Sequence, residues 1–131
     1  MSALSVRIGD LDFLEACKTK DCRIVRQFIL SGCDPILIQN EHGQNALHVA
    51  ALHGNMDIVE LLVEVYGCNP EITDHCGRTA LHLACMGGFL VVLDYLMESV
   101  DYHSKDNCGN TLLHYACLSG DVPTVRYVIH A

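Results

Sequence analysis

Histidine is the residue whose type and spacing first suggest chemistry in this chain. His48, His82 and His114 recur at intervals of 34 and 32 residues, each directly after a leucine and two residues before an alanine. A histidine can act as a general base, a proton shuttle or a metal ligand. Because all three occupy one position of a repeated phrase, we interpret them as structural residues that hydrogen-bond between a helix-capping side chain and neighbouring backbone.

A second set of residues carries the nitrogen and sulfur atoms that can bind zinc: His75, Cys76, His103 and Cys108. Cys76 and Cys108 each come one residue before the glycine that opens a repeated phrase. Equivalent positions on packed elements lie roughly 8–10 Å apart, whereas two ligands of one zinc ion lie only about 4 Å apart. No Cys-x-x-Cys pair is present to nucleate a site. The sequence therefore predicts exposed turn residues here and no metal.

The common enzyme motifs are missing from the sequence. It has no phosphate-binding loop, no dinucleotide-binding glycine motif, no zinc-protease helix motif and no nucleophile elbow. The acidic pair Asp10 and Asp12 lies near the start of the chain and is interpreted as solvated charge. We therefore predict no catalytic residue, no cofactor and no enzymatic activity.

The phrases around the three histidines define a repeat, and they occupy residues 43–50, 77–84 and 109–116. The mean period of 33 residues is typical of one supersecondary unit stacked on copies of itself. A glycine follows each histidine after six residues, and these glycines are Gly54, Gly88 and Gly120. Glycine at that position predicts that the first helix of the unit ends and the chain reverses.

Each unit is predicted to contain a turn, a short helix, a reversal, a longer helix and a loop. The residues that can cap the first helix are Asn45, Thr79 and Thr111. In the second helix, apolar residues such as Ile58, Val59 and Leu62 form one helical face. Pro123 falls in the first turn of its helix, where a missing N–H costs little.

A degenerate copy precedes the three clear ones. When Ala16 is aligned with Ala50, the first copy lacks both the turn and the histidine, as expected of an end repeat. We predict a single domain over residues 1–131 with four units: a degenerate N-terminal capping repeat over 1–40, then repeats over 41–73, 74–105 and 106–131. The last of these is predicted to be truncated or uncapped.

The repeated phrase resembles the ankyrin repeat, whose signature Thr-Pro-Leu-His-x-Ala is carried by residues 45–50, 79–84 and 111–116. Ala46, Ala80 and Leu112 replace the proline of that signature. The resemblance covers essentially the whole chain. It implies an all-α ankyrin-repeat solenoid of stacked helix-turn-helix units with hairpin-like loops, which binds protein partners on its concave side.

Composition narrows the classes of partner. The net charge of −8, from 8 basic and 16 acidic residues, repels nucleic-acid backbones. No apolar run approaches the roughly 18 residues of a membrane span, and the first ten residues make a poor signal peptide. We therefore expect a monomer with a protein partner, without nucleic acid or membrane, in the cytoplasm or nucleus.

The cysteines follow the repeat. Cys17, Cys85 and Cys117 align with Ala51, directly after the alanine of each phrase, so we expect them to be buried and reduced. Cys76 and Cys108 are predicted to be exposed. Without a secretory signal, eight cysteines indicate a reducing, intracellular compartment.

The implied geometry places the turn tips, and the residues before each reversal glycine, on the concave face. The predicted partner-binding residues are His42, Gln44, Leu52, His53, His75, Arg78, Met86, Asn107, Asn110 and Leu118. Leu52, Met86 and Leu118 recur at one position and are predicted to form an apolar stripe, with Arg78 as the charged anchor. The alternative is that each member of the stripe is half-buried against its own outer helix.

Two functions remain open at this point. The first is a protein-interaction module that uses the concave face. The alternative is a structural spacer or capping segment of a longer array, without a partner of its own.

Overall fold

Helices follow one another in pairs along the chain in the computed structural model, which describes residues 8–131. The part of the predicted first unit that precedes residue 8 lies outside the described residues. The helices are α1 Ile8–Ala16, α2 Cys22–Leu30, α3 Ala46–Leu52, α4 Met56–Glu60, α5 Ala80–Met86, α6 Leu90–Met97, α7 Leu112–Ser119 and α8 Val122–Ile129. A π-helical segment, Leu61–Val65, continues α4. Within residues 8–131 there are eight α-helices and no strand, so the all-α prediction is confirmed.

The pairs stack into two layers. Helices α1, α3, α5 and α7 contact one another in sequence and form the inner layer, while α2, α4, α6 and α8 form the outer layer. Each inner helix also packs on the outer helix that follows it. The fully buried side chains between the layers include Leu47, Leu81, Ile58 and Leu93. The buried apolar side chains therefore form one continuous hydrophobic core that runs along the solenoid.

Each inner helix of the last three repeats begins at a capping box. The cap is Asn45, Thr79 or Thr111, and the histidine three residues later bonds back to the backbone N–H of the cap. Glutamate or glutamine usually fills that third position. Here a histidine does so, and its second ring nitrogen remains available for another contact.

The reversal between inner and outer helix depends on a left-handed backbone. Gly54 and Gly88 have φ angles of +69° and +73°, which other residues adopt only with strain. A Cβ atom on Gly54 would also lie 2.3 Å from the ring of Phe89 in the next repeat. The glycine therefore permits both the sharp turn and the close approach of the neighbouring repeat.

The prediction of buried thiols holds for two of the three aligned cysteines. Cys17 and Cys85 are fully buried, but Cys117 is exposed, so the prediction is wrong there. Cys85 is covered by α7, whereas no helix of the described chain packs over the equivalent face of α7. Burial raises the pKa of Cys17 and of Cys85 to about 12, which suppresses the reactive thiolate at neutral pH.

Thiol labelling of the native protein should separate these cysteines. We expect Cys76, Cys108 and Cys117 to react rapidly with iodoacetamide, and Cys17 and Cys85 to react only as the fold opens. Peptide mass spectrometry after a timed quench measures each site. Rapid labelling of Cys85 together with protection of Cys117 would contradict the stacking order of α5 and α7.

Candidate protein-interaction surface

The turns before α3, α5 and α7 are built around one side-chain oxygen each. Oδ1 of Asp74 accepts hydrogen bonds from the backbone N–H groups of Cys76 and Arg78, both at 2.9 Å. Asn40 and Asp106 accept the two equivalent N–H groups in their own turns. An Asn or Asp three residues before glycine therefore closes each of these three turn tips, a spacing that is typical of tight turns.

The turn tips are joined to one another by backbone hydrogen bonds. The N–H of His75 donates to the carbonyl of His42 at 2.9 Å, and the N–H of Asn107 donates to that of Cys76 at 2.9 Å. The Asn107 side chain adds a bond of 3.0 Å to the carbonyl of His75. The ring of His75 also covers Gly43, where a Cβ atom would lie only 2.4 Å from it. The three tips form one connected row.

His48 and His82 tie each repeat to the next. Nε2 of His48 lies 3.2 Å from the carbonyl oxygen of Arg78, and Nε2 of His82 lies 3.2 Å from that of Ser104. A carbonyl only accepts, so Nε2 carries the proton and Nδ1 accepts the N–H of the helix cap. Burial lowers the pKa of both rings, which keeps them neutral.

His114 departs from the predicted role. It keeps the capping half of the pattern, with Nδ1 at 3.0 Å from the N–H of Thr111 and 2.8 Å from its hydroxyl oxygen. Its ring is exposed, and no carbonyl of the described chain meets Nε2. The reason is the one that exposes Cys117: α7 packs on the inner helix α5 on one side, and no described inner helix follows it on the other.

The residue after each turn glycine points back to the turn. Arg78 Nε donates to Asp74 Oδ2 at 2.9 Å, and Asn110 Nδ2 donates to Asp106 Oδ2 at 3.1 Å. In the second repeat, Nδ2 of Asn40 donates to Oε1 of Gln44 at 3.0 Å. These three residues were predicted to face a protein partner. Instead, each side chain makes a hydrogen bond within its own turn.

The prediction that Gln44 lies on the partner-binding surface is wrong, and Arg78 is only partly available to a partner. Gln44 is only 7% exposed, because its amide is turned onto Asn40, so it is not a surface residue. Arg78 is partly exposed and forms an ion pair with the buried carboxylate of Asp74. That pairing helps to lower the pKa of Asp74 against the opposing effect of burial.

A buried polar cluster in the last turn was missed by sequence reasoning. The hydroxyl of Tyr115 donates to Oδ2 of Asp106, and the Tyr115 ring packs edge-on against His82 with centroids 5.2 Å apart. Burial alone raises the pKa of Asp106, but the hydrogen bonds from Tyr115 and Asn110 outweigh it, so its pKa falls well below the usual range. The available signal was Tyr115 itself, a polar aromatic at a position that is otherwise Val49 or Leu83.

The remaining predicted residues differ in accessibility. His42, His53, His75, Asn107 and Leu118 are exposed, and Leu52, Arg78, Met86 and Asn110 are partly exposed. The stripe is uneven, since Met86 packs against the core whereas Leu118 is 72% exposed.

Among the described residues, no group of three or more histidine, cysteine, aspartate or glutamate side chains is placed to hold a metal ion. Over the same range, none of the helices is both long enough and apolar enough to cross a bilayer.

Paired helices, stacked inner and outer layers and a connected row of turn tips define a helical repeat protein. The family model for ankyrin repeats matches residues 13–105 and, overlapping with them, residues 63–131. The chain belongs to the ankyrin repeat family.

Several curated proteins are similar to this chain. Human protein phosphatase 1 regulatory subunit 27 is 36% identical over 94 residues, which is 71% of this chain and 60% of that protein. Zebrafish Notch-regulated ankyrin repeat-containing protein B is 37% identical over 62 residues, 47% of this chain and 55% of that protein. Pig NF-kappa-B inhibitor alpha is 42% identical over 60 residues, 46% of this chain and 19% of that protein. The chain therefore matches at most about 60% of the length of these relatives.

Proposed function

We propose that this chain is a protein-interaction module that binds its partner on the concave face, along the turn tips and the C-terminal ends of the inner helices. Ankyrin repeats are generally protein–protein interaction modules and are typically not enzymes. Two relatives are named as a regulatory subunit of protein phosphatase 1 and as an inhibitor of NF-kappa-B, and each name refers to another protein. The connected row of turn tips is the observation that carries the proposal, because a surface ordered before binding loses less entropy on association.

The distribution of charge supports the inner face over the outer one. Helices α3, α5 and α7 contain no acidic or basic residue. Exposed carboxylates lie instead on the outer layer, at Asp57, Glu60, Glu64, Asp94 and Glu98. Depletion of charge at the centre with polar groups at the rim is typical of interface cores.

Some outer carboxylates also have a structural role. The hydroxyl of Tyr95 donates to Glu64 at 2.6 Å, and that of Tyr127 donates to Asp94 at 2.5 Å, which links successive outer helices. The overall negative charge would attract a partner with basic character from a distance, and higher salt would slow its approach.

A pair of charge substitutions tests the proposal once affinity capture and mass spectrometry have supplied a partner. Met86→Glu places a carboxylate in the apolar stripe, and we expect it to weaken binding by about tenfold or more. Arg126→Glu, on the exposed side of α8, serves as the control and should leave affinity unchanged. Isothermal titration calorimetry gives both affinities, and circular dichroism verifies folding. Loss of binding with the control alone would place the site on the outer helices.

The second candidate, a spacer or capping segment within a longer array, is favoured by one observation. Leu113 is 41% exposed, whereas its counterparts Leu47 and Leu81 are buried, and their helices α3 and α5 each contact the inner helix that follows. Such a face can accept a further stacked unit. A spacer would bind no partner through the concave face, so Met86→Glu would then leave every captured interaction intact.

Exposed free cysteines are relevant to the cellular compartment in which the protein works. Cys76, Cys108 and Cys117 are all accessible, and such thiols persist in reducing compartments. This supports a cytoplasmic or nuclear location for the proposed module.

A further inference from the structure

Within residues 8–131 the first repeat contributes no turn tip, so the row of described tips begins at the second repeat. The turn around Gly43 is covered on one side by His75 of the following tip. On its other side, towards α1, an open notch of about 430 Å³ remains. Its lining includes Leu14, Glu15, Lys18, Glu41, Val49 and Leu52.

The floor and the rim of this notch differ in chemistry. Leu14 and Val49 are buried beneath it, and Leu52 is half-buried, so the floor is apolar. At the rim, the side chain of Glu41 is 86% exposed, and its Oε1 lies 3.7 Å from Nε2 of His42, which also lines the notch. Glu15 is also exposed and is paired with Lys18 at 2.7 Å, so one carboxylate charge remains in excess.

The backbone adds a hydrogen-bond donor at the same place. In each later tip, the N–H two residues before the glycine donates to the preceding tip, as His75 and Asn107 do. The equivalent donor in the second repeat is the N–H of Glu41, and no acceptor for it exists within residues 8–131. A strand-like segment laid beside this tip would continue the row by supplying a carbonyl oxygen.

We propose that the notch receives an extended segment of the protein partner that inserts an aliphatic side chain next to an arginine or lysine. The aliphatic group fills the floor over Leu14, Val49 and Leu52. The basic group lies against Glu41, and a backbone carbonyl accepts the N–H of that residue. Of the residues that line the notch, Glu15 and Glu41 carry carboxylates, and Glu15 is already paired with Lys18, so Glu41 is the group that selects a basic segment. The inference rests on the proposed function and names the chemistry of the segment recognised.

A random linear peptide library displayed on phage, selected on the full chain, tests this directly. We expect the enriched peptides to carry an aliphatic residue beside arginine or lysine. As synthetic peptides, they should bind the Glu41→Lys variant about tenfold more weakly or worse. Glu60→Lys makes the same charge reversal on the exposed outer side of α4 and should leave binding unchanged. Fluorescence anisotropy gives the affinities, and the amide resonance of Glu41 should shift on binding.

Other outcomes separate this inference from the proposed function. Peptides that lose affinity with Met86→Glu but bind Glu41→Lys normally would overturn the notch and leave the concave face in place. Loss with Glu60→Lys alone would overturn both. Enriched peptides without a basic residue, or no enrichment at all, would also overturn the notch. Circular dichroism and the urea midpoint of each variant establish that a loss of affinity is not a loss of fold.

Discussion

Replacing Leu81 by alanine should lower the free energy of unfolding by about 2–5 kcal/mol, the range for a buried leucine whose cavity cannot collapse. Leu81 is 0% exposed and belongs to α5, which packs against both α3 and α7 as well as against α6. A cavity here has repeats on both sides and little freedom to close. Urea unfolding followed by circular dichroism measures the loss.

The chain offers a matched control for this substitution. Leu113 occupies the same position of the next repeat but is 41% exposed, because no described inner helix follows α7 in the stack. Leu113→Ala should therefore cost about 1 kcal/mol, in proportion to the smaller apolar area it buries. Equal losses at the two positions would show that the face of α7 is covered, and that the stacking order described for this end is wrong.

The helix pairs could be predicted from the sequence because each repeat contains its own start and stop signals. Thr79 caps α5, the glycine at position 88 reverses the chain, and the same signals recur one period later. The boundaries chosen at 40, 73 and 105 remain predictions, since loops carry no comparable signal. The π-helical segment Leu61–Val65 was not predicted, because its residues continue the apolar helical pattern of α4 without a break.

The surface was harder to predict, for two physical reasons. Alignment of repeats treats every copy as if it had two neighbours, so Cys117 was expected to be buried like Cys85. The repeat pattern in the sequence also does not determine whether a polar side chain points to solvent or back towards its own turn. Gln44 and Arg78 were expected to face a partner, but an Asn or Asp four residues earlier competes for them. The same spacing of four residues between the two side chains occurs in all three turns.

His82→Ala should destabilise the protein by about 1–3 kcal/mol, because it leaves the carbonyl of Ser104 and the N–H of Thr79 without their partner. His114→Ala is the matched control. It removes only the capping contact at an exposed helix start, and should cost less than about 1 kcal/mol. Urea midpoints at neutral pH compare the two. A larger loss at His114 than at His82 would contradict the assignment of inter-repeat bonding to His82.

The pH dependence of stability provides a second readout of the same prediction. Burial lowers the pKa of His82 below its unfolded value of 6.5, so the fold excludes a proton that the unfolded chain binds. Stability from this effect is complete above about pH 6.5 and is lost as the pH falls below it. The wild type should therefore lose more stability between about pH 7 and about pH 5.5 than His82→Ala does. His48, whose pKa burial also lowers, should preserve part of the dependence in the variant. Identical acid profiles for the two proteins would mean that His82 is not held neutral between repeats.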